Sequence, residues 1–121
     1  MTNGENLKIQ FVSDKLVQQI IEGRKTASVA EIVEIAVAED EYNDALIVGR
    51  SYDVYDSALI KRATIRIVGM ELCRWDNIPE RLWLGEANVD ADEFKEDHKE
   101  YFKNPAPDFE FIAYYFILVN Q

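Results

Sequence analysis

The sequence predicts an α+β fold, in which a curved, barrel-like β-sheet has helices packed over its openings. Three observations support this prediction. The predicted elements follow the order helix, several strands, two short helices and a closing strand, without the regular strand–helix alternation of a doubly wound sheet. Apolar alternation along one long predicted strand reverses phase at Val68 and Gly69, as a β-bulge would cause. The last predicted strand, residues 109–119, is almost wholly apolar and is therefore expected to be buried.

One amphipathic helix is predicted at about residues 14–22. Ser13 or Asp14 is a suitable N-cap, and Gly23 favours a helix end because glycine readily adopts a positive φ. The apolar residues of this stretch fall on one helical face: Leu16, Val17, Ile20 and Ile21.

Three other stretches near the N-terminus have no single clear period. Residues 1–6 are polar and predict a loose tail. Residues 8–12 predict either a short strand or a lead-in to the helix. In residues 29–38 the alternation of Ala, Glu and Ile fits both a helix and a strand, and we expect a helix.

The middle of the chain predicts two strands. After an acidic loop at residues 39–44, residues 51–56 predict a strand, and a turn around Ser57 and Ala58 joins it to a longer one. Apolar residues on the longer strand alternate in one phase and then in the other: Ala63, Ile65 and Ile67, followed by Val68, Met70 and Leu72. We expect the strand at residues 64–75 to bend at this phase change.

The C-terminal half predicts two short helices before the closing strand. The first begins near Pro79, which suits a first helical turn, and ends near Gly85. Asp90 or Asp92 caps the second helix. The residues on its apolar face are Phe94, His98, Tyr101 and Phe102. Prolines at positions 105 and 107 then break the chain.

The composition indicates one globular domain spanning residues 1–121. Hydrophobic residues make up 48% of the sequence, which supplies a packed core and argues against disorder. The net charge of −10 opposes binding to long nucleic acids, because proteins hold these by neutralising phosphates with Lys and Arg. A small ligand is easier to reconcile with this charge.

Cys73 is the only cysteine, which excludes an intramolecular disulfide and a cysteine-ligated zinc site. No apolar run is long enough to cross a bilayer, and the first residues lack a signal-peptide layout. We therefore expect a soluble, cytosolic protein.

The motif GRKTAS at residues 23–28 carries the most polar chemistry. A serine beside a lysine can act as a nucleophile–base pair if the lysine can accept the hydroxyl proton. The alternative interpretation is a basic helix C-terminus followed by a polar turn. From spacing alone the second interpretation is preferred, because short motifs often match by chance.

The chain resembles an ASCH (activating signal cointegrator homology) domain, a family with a PUA-like β-barrel. The matching segments occur in the family's order and cover residues 9–119. They are GRKTAS at 23–28, VG at 48–49, WLGE at 83–86, the aromatic and histidine positions of 94–102, and the closing strand at 111–119. The resemblance implies a PUA-like curved barrel with helices packed over it.

The same resemblance implies an activity and its residues. A short-chain branch of the family hydrolyses 4-acetylcytidine, using a lysine in the G-R-K-T motif, a hydroxyl three residues later and a glutamate in the helical region. These roles fall on Lys25, Ser28 and Glu86, as a Lys/Ser/Glu amidohydrolase. The nucleophile of that branch is threonine, and an arginine common in the family is replaced here by Ala30. The helix predicted at 90–102 resembles a longer branch, so the substrate is left open.

Other side chains have competing interpretations. Arg24, Thr26 and Trp83 are candidate ligand contacts, although large aromatics such as Trp75 and Trp83 more often pack in a core. Tyr114 and Tyr115 point to opposite faces of the last strand, so at most one lines a cavity. A packed helix residue is the preferred interpretation of the sole histidine, His98. We expect no metal site and no cofactor, because one histidine among scattered carboxylates has no recognisable ligand spacing.

The favoured function is binding of a nucleoside, a nucleotide or an RNA end, with hydrolysis of an amide on a modified base as a further step. The alternative is a non-catalytic RNA-binding or regulatory module, and a protein-interaction domain is a third class. The discriminating observation is whether the basic residues surround one groove. These residues are Arg24, Lys25, Lys61, Arg62 and Arg66. Oligomeric state is not determined by the sequence.

Overall fold

The computed structural model describes residues 6–119. Within them lie five strands, three α-helices and one 3₁₀ helix. Their bounds are β1 Leu7–Gln10, α1 Asp14–Ile21, β2 Ala27–Ala30, the 3₁₀ helix Ile32–Glu34, β3 Ser51–Tyr55, β4 Lys61–Arg74, α2 Glu80–Gly85, α3 Ala91–His98 and β5 Glu110–Leu118. Residues 1–5 of the tail predicted at 1–6 lie outside the described residues.

The five strands form one curled, half-barrel sheet in the order β1-β3-β4-β5-β2. β1 runs parallel to β3, and the other neighbours are antiparallel. The three α-helices pack over this sheet. The predicted α+β, PUA-like curved sheet with helices over it is therefore confirmed.

The bend predicted in the long strand is present. The pairing of β4 with β5 shifts register between Ile67 and Gly69, so Val68 is the extra residue of a bulge. Val68 is half exposed, whereas Ile65 and Ile67 are fully buried. A bulge increases local twist, which fits the curl of the sheet.

The prediction of a helix at residues 29–38 is wrong. β2 occupies Ala27–Ala30 instead, and only a single 3₁₀ turn follows it. Pairing with β5 satisfies the β2 backbone and buries Val29 and Ala30, so tertiary contacts override the local helical period. Beyond Ala30 the stretch is largely exposed, with Val33 at 79%, so it buries too little surface to hold a helix in place.

The second C-terminal helix is shorter than the aromatic stripe predicted. α3 begins at the Asp90 cap, whose side chain accepts from the Glu93 amide, and ends at His98. Lys103 and Asn104 then adopt positive φ, which turns the chain while Phe102 stays buried.

Two apolar cores lie on opposite faces of the sheet, because alternate β5 residues contribute to different clusters. The first core lies between the sheet and α1 and includes Val17, Ile20, Tyr52, Ile65, Ile67 and Phe116. The second lies beneath α2 and α3 and includes Trp75, Leu82, Phe94, Phe102 and Phe111. Trp75 is thus a core residue, as the preferred interpretation predicts. Within residues 6–119, no helix combines the length and hydropathy needed to cross a membrane.

Candidate active site

Lys25 is buried by the turn that ends α1. Gly23 adopts a φ of 80°, and the amides of Arg24 and Lys25 both donate to the Gln19 carbonyl, at 2.9 and 3.1 Å. This tight reversal directs the Lys25 side chain inwards, where it is only 1% exposed. Its Nζ lies 5.7 Å from the centre of the Phe11 ring. The solvated helix-end interpretation of Lys25 does not hold.

Glu86 meets Lys25 from the other side of the site. It follows α2, which approaches β2 so closely that a Cβ on Gly85 would lie 2.7 Å from the Ala27 Cβ. The Thr26 amide donates to the Gly85 carbonyl at 2.7 Å and joins the two segments. Lys25 Nζ is consequently ion-paired with Glu86 Oε1, and it donates to the Ala27 carbonyl at 2.7 Å. The predicted shielding of Lys25 and its contact with Glu86 are both present.

His98 completes a chain of contacts that the sequence interpretation missed. Its Nε2 lies 3.1 Å from Glu86 Oε2, and its Nδ1 lies 2.7 Å from the Phe94 carbonyl oxygen. The imidazole also stacks on the Phe94 ring, with centroids 4.1 Å apart. His98 lies on the apolar stripe of α3, where packing residues are also found. No signal in the sequence distinguishes a packing histidine from one that contacts Glu86.

Opposing effects act on the Glu86 carboxyl. Burial raises the pKa of Glu86, but the charge of Lys25 and the hydrogen bonds from His98 and Lys25 more than offset it. The pKa of Glu86 therefore lies below its ordinary value, and the carboxylate is ionised at neutral pH.

These three side chains form part of the wall of a cavity of about 470 Å³. Ser28 and Tyr114 line the same cavity and face each other across the β2–β5 ladder. Burial raises the pKa of the Tyr114 phenol, and a hydrogen bond from Ser28 partly offsets this effect. Tyr115 lies on the opposite face of β5, where the Arg81 guanidinium covers its ring at 4.5 Å.

The remaining polar wall of the cavity is acidic. Four carboxylates besides Glu86 line it: Glu34, Glu39, Asp44 and Asp97. A hydrogen bond with Glu34, together with burial, raises the pKa of Glu39, and the negative charge of Glu34 adds to this effect. Among residues 6–119, Lys25 is the only Lys or Arg that lines the cavity.

Arg24, Thr26 and Trp83, predicted as ligand contacts, lie outside the cavity lining. The Arg24 side chain is exposed and pairs with Glu22 at 2.7 Å. Thr26 packs against Gly85 with its hydroxyl, and Trp83 packs on the core beneath α2 and α3.

The basic residues do not surround the cavity either. Lys61 pairs with Asp53 at 3.4 Å and Arg62 with Asp56 at 3.3 Å, both at the β3–β4 end of the sheet. Arg66 lies on β4 and is exposed. In the part of the chain that the structure describes, no group of three or more His, Cys, Asp or Glu side chains is arranged to hold a metal ion.

No protein-family model matches the sequence, and no curated protein matches it. Three solved structures share the fold at low identity. An ASCH domain from Lactobacillus crispatus JV V101 has a TM-score of 0.72 at 16% identity, over 92% of this chain and 79% of its own. A protein of Enterococcus faecalis V583 with the family name DUF984 has a TM-score of 0.68 at 21% identity, over 97% and 82%. A mutant form of an ASCH protein from Zymomonas mobilis has a TM-score of 0.57 at 10% identity, over 93% and 73%.

The likeness to the first two structures extends over more than nine-tenths of this chain, and so includes most of its curled sheet and covering helices. The fold implied by the resemblance is thereby confirmed: this chain has the fold of the ASCH domain structures.

Proposed function

We propose that the cavity binds a nucleoside, and that Ser28, Lys25 and Glu86 hydrolyse an amide on its modified base. The observation that carries the proposal is the buried Lys25–Glu86 ion pair in the wall of a cavity that Ser28 also lines. The resemblance of GRKTAS and WLGE to the amidohydrolase branch of ASCH domains supports the same three roles.

A buried ion pair of this kind is unlike an ordinary core contact. Removing two charges from water costs several kcal/mol per ion, and apolar residues of similar volume often serve a core equally well. Charged groups of this kind are concentrated at functional sites. The cavity volume of about 470 Å³ falls within the usual range for small-ligand pockets, about 300–1,000 Å³.

Lys25 has a hydrogen available for a ligand. An ammonium carries three hydrogens, and two of them are used by Glu86 and the Ala27 carbonyl. The third supports hydrogen bonding to a carbonyl oxygen of a base or of its acyl group. The cavity's acidic wall repels phosphates, which favours a nucleoside over a nucleotide or an RNA end.

In the proposed reaction, Ser28 Oγ attacks the acyl carbon, and its proton passes to Lys25. Lys25 can take this proton only after giving one of its own to Glu86, because the resting pair is an ammonium beside a carboxylate. The carbon–nitrogen bond then breaks, the exocyclic amine leaves with the proton that Lys25 took from Ser28, and the acyl group remains on Ser28 as an ester. Water hydrolyses the ester, which releases a carboxylic acid and restores the serine.

The second candidate is nucleoside binding without catalysis. It is favoured by a specific observation: among the hydrogen bonds of residues 6–119, none joins Lys25 Nζ to Ser28 Oγ. In this function the ion pair is a binding clamp, and Ser28 contributes a hydroxyl contact.

Two nucleosides and one nucleotide, tested with the purified protein, distinguish the two candidate functions. Binding is measured by calorimetry and turnover by chromatography for 4-acetylcytidine, cytidine and cytidine monophosphate. Hydrolysis predicts release of cytidine and acetate by the wild type and by Ser57→Ala, a matched control on an exposed turn. It also predicts loss of turnover with retained binding in Ser28→Ala. Binding of 4-acetylcytidine without turnover supports the second candidate, and absence of any binding would overturn both.

A further inference from the structure

We propose that His98 is a positioning residue that donates a hydrogen bond from Nε2 to Glu86. Lys25, Glu86 and His98 then form one proton relay at the cavity wall. The inference deepens the proposed function and rests on it only for its effect on turnover. The relay itself is a property of the ligand-free protein.

The contacts of the His98 ring fix where its protons lie. A backbone carbonyl oxygen can only accept a hydrogen bond, so the Nδ1 that lies 2.7 Å from the Phe94 oxygen carries a hydrogen. The partner oxygen lies one helical turn before His98, and the imidazole stacks on the Phe94 ring in this orientation. The contacts made within α3 therefore favour the Nδ1–H form.

The second ring nitrogen must then share a proton with Glu86. Nε2 lies 3.1 Å from Glu86 Oε2, and a nitrogen lone pair facing a bare carboxylate would be repulsive. One hydrogen between them resolves this, either as imidazolium beside carboxylate or as imidazole beside carboxylic acid. The ion pair between Lys25 and Oε1 supports the former arrangement, because an ammonium on the other oxygen keeps the carboxylate ionised.

The contact between His98 and Glu86 is largely shielded from solvent. The His98 side chain is 16% exposed and that of Glu86 only 4%, so water screens their contact weakly. Asp97 precedes His98 on its own helix. The other titratable groups that line the same cavity are Lys25, Glu34, Glu39, Asp44, Tyr101 and Tyr114. Carboxylates outnumber the single lysine in this set.

The relay gives His98 a defined effect on the reaction. Lys25 and His98 occupy one Glu86 oxygen each, which fixes the carboxylate. While Nε2 carries its hydrogen, the hydrogen bond to Oε2 stabilises the Glu86 carboxylate and makes it a weaker acceptor of the proton that Lys25 must give up. Once Nε2 is unprotonated, Glu86 is a stronger base and accepts the Lys25 proton more readily. Turnover should therefore rise with pH as Nε2 loses its proton.

Long-range ¹H–¹⁵N NMR of the ligand-free protein tests the relay, and the sole histidine gives one imidazole signal set without assignment. We expect Nδ1 to remain protonated throughout the titration, with Nε2 alone losing its proton. We also expect Glu86→Gln to shift the Nε2 signal, whereas Glu96→Gln, an exposed site on the same helix, should leave it unchanged. An Nε2–H neutral form, or an Nε2 signal insensitive to Glu86→Gln, would overturn the proposal.

Turnover of 4-acetylcytidine by two His98 variants separates the relay from simple packing. His98→Gln can donate to Glu86 but cannot titrate, and His98→Leu can do neither. We expect the wild-type rate to rise over the pH range in which NMR records Nε2 deprotonation, and His98→Gln to lack this rise. His98→Leu should lose about tenfold in turnover, which is less than the roughly 10²–10⁴-fold contribution of a group that transfers a proton directly to the substrate. A rise retained in His98→Gln would refute the relay. If no nucleoside is turned over, the proposed function fails, and the NMR result still decides the relay.

Discussion

The substitution Lys25→Met tests the ion pair at the centre of the site. Methionine has nearly the length of lysine and fills the same space without charge. It leaves the Glu86 carboxylate with a side-chain exposure of 4% and without its cationic partner. It also removes the donor that satisfies the Ala27 carbonyl. The cost therefore comes from stranded polar groups, not from a cavity.

The expected magnitude follows from burial. Removing one partner of a buried pair typically costs about 3–5 kcal/mol, and an unsatisfied buried acceptor costs about 1–3 kcal/mol where it is not relieved. His98 still contacts Glu86 in the variant and limits the loss. We expect the free energy of unfolding to fall by about 3–5 kcal/mol, which for a chain of this size lowers Tm by roughly 10–20 °C.

Urea denaturation of four proteins provides the assay: wild type, Lys25→Met, Glu86→Leu and the double variant. Because apolar side chains can replace a buried pair at little cost, the double variant should lose clearly less stability than the two single variants summed. Lys99→Met is the matched control, because Lys99 pairs with Glu96 on the exposed surface, and its midpoint should barely move. Strict additivity, or a Lys25→Met effect as small as the control's, would refute the buried-pair reasoning.

Three further predictions concern the site's supports. Gly85→Ala places a Cβ 2.7 Å from that of Ala27 and should cost about 1–3 kcal/mol in urea denaturation, whereas Gly69→Ala, with no atom nearer than 3.9 Å, should not show this steric cost. The pKa of Glu86 is lowered in the folded state, so its contribution to the free energy of unfolding is present above about pH 4.5 and is lost as the pH falls further. Glu86→Gln should therefore flatten the acid side of a plot of stability against pH. Phe94→Ala should cost about 3–5 kcal/mol in the same assay and broaden the His98 NMR signals, since the two rings stack; sharp, unchanged signals would contradict this.

Local sequence patterns predict those elements that bury one face, because the apolar residues then recur at the period of the helix or strand. The apolar stripe of α1 predicts its helix, and the phase change at Val68 predicts the β4 bulge. The prediction for residues 29–38 is wrong because β2 forms by pairing with β5, which is distant in the sequence. The local apolar period of residues 29–38 carries no information about that pairing.

The site is less predictable than the fold. Lys25 and Glu86 are 61 positions apart, and only the family resemblance connects them in the sequence. His98 has no such signal, because a histidine one helical turn after Phe94 on an apolar stripe has the same spacing as a packing residue. For Thr26 the sequence suggests a role that the structure does not give it. Its polar neighbours suggest a ligand contact, but Thr26 lies outside the cavity lining, and its amide donates to the Gly85 carbonyl.

Amide chemical-shift mapping of Ser28→Ala with 4-acetylcytidine tests the central claim most directly, namely that the cavity beside the Lys25–Glu86 pair is the ligand site. This variant removes the proposed nucleophile and should hold the nucleoside unreacted. The account predicts that saturating ligand shifts the signals of Lys25, Glu86 and His98. Shifts confined to the exposed basic residues Lys61 and Arg66, with the cavity signals unchanged, would contradict it.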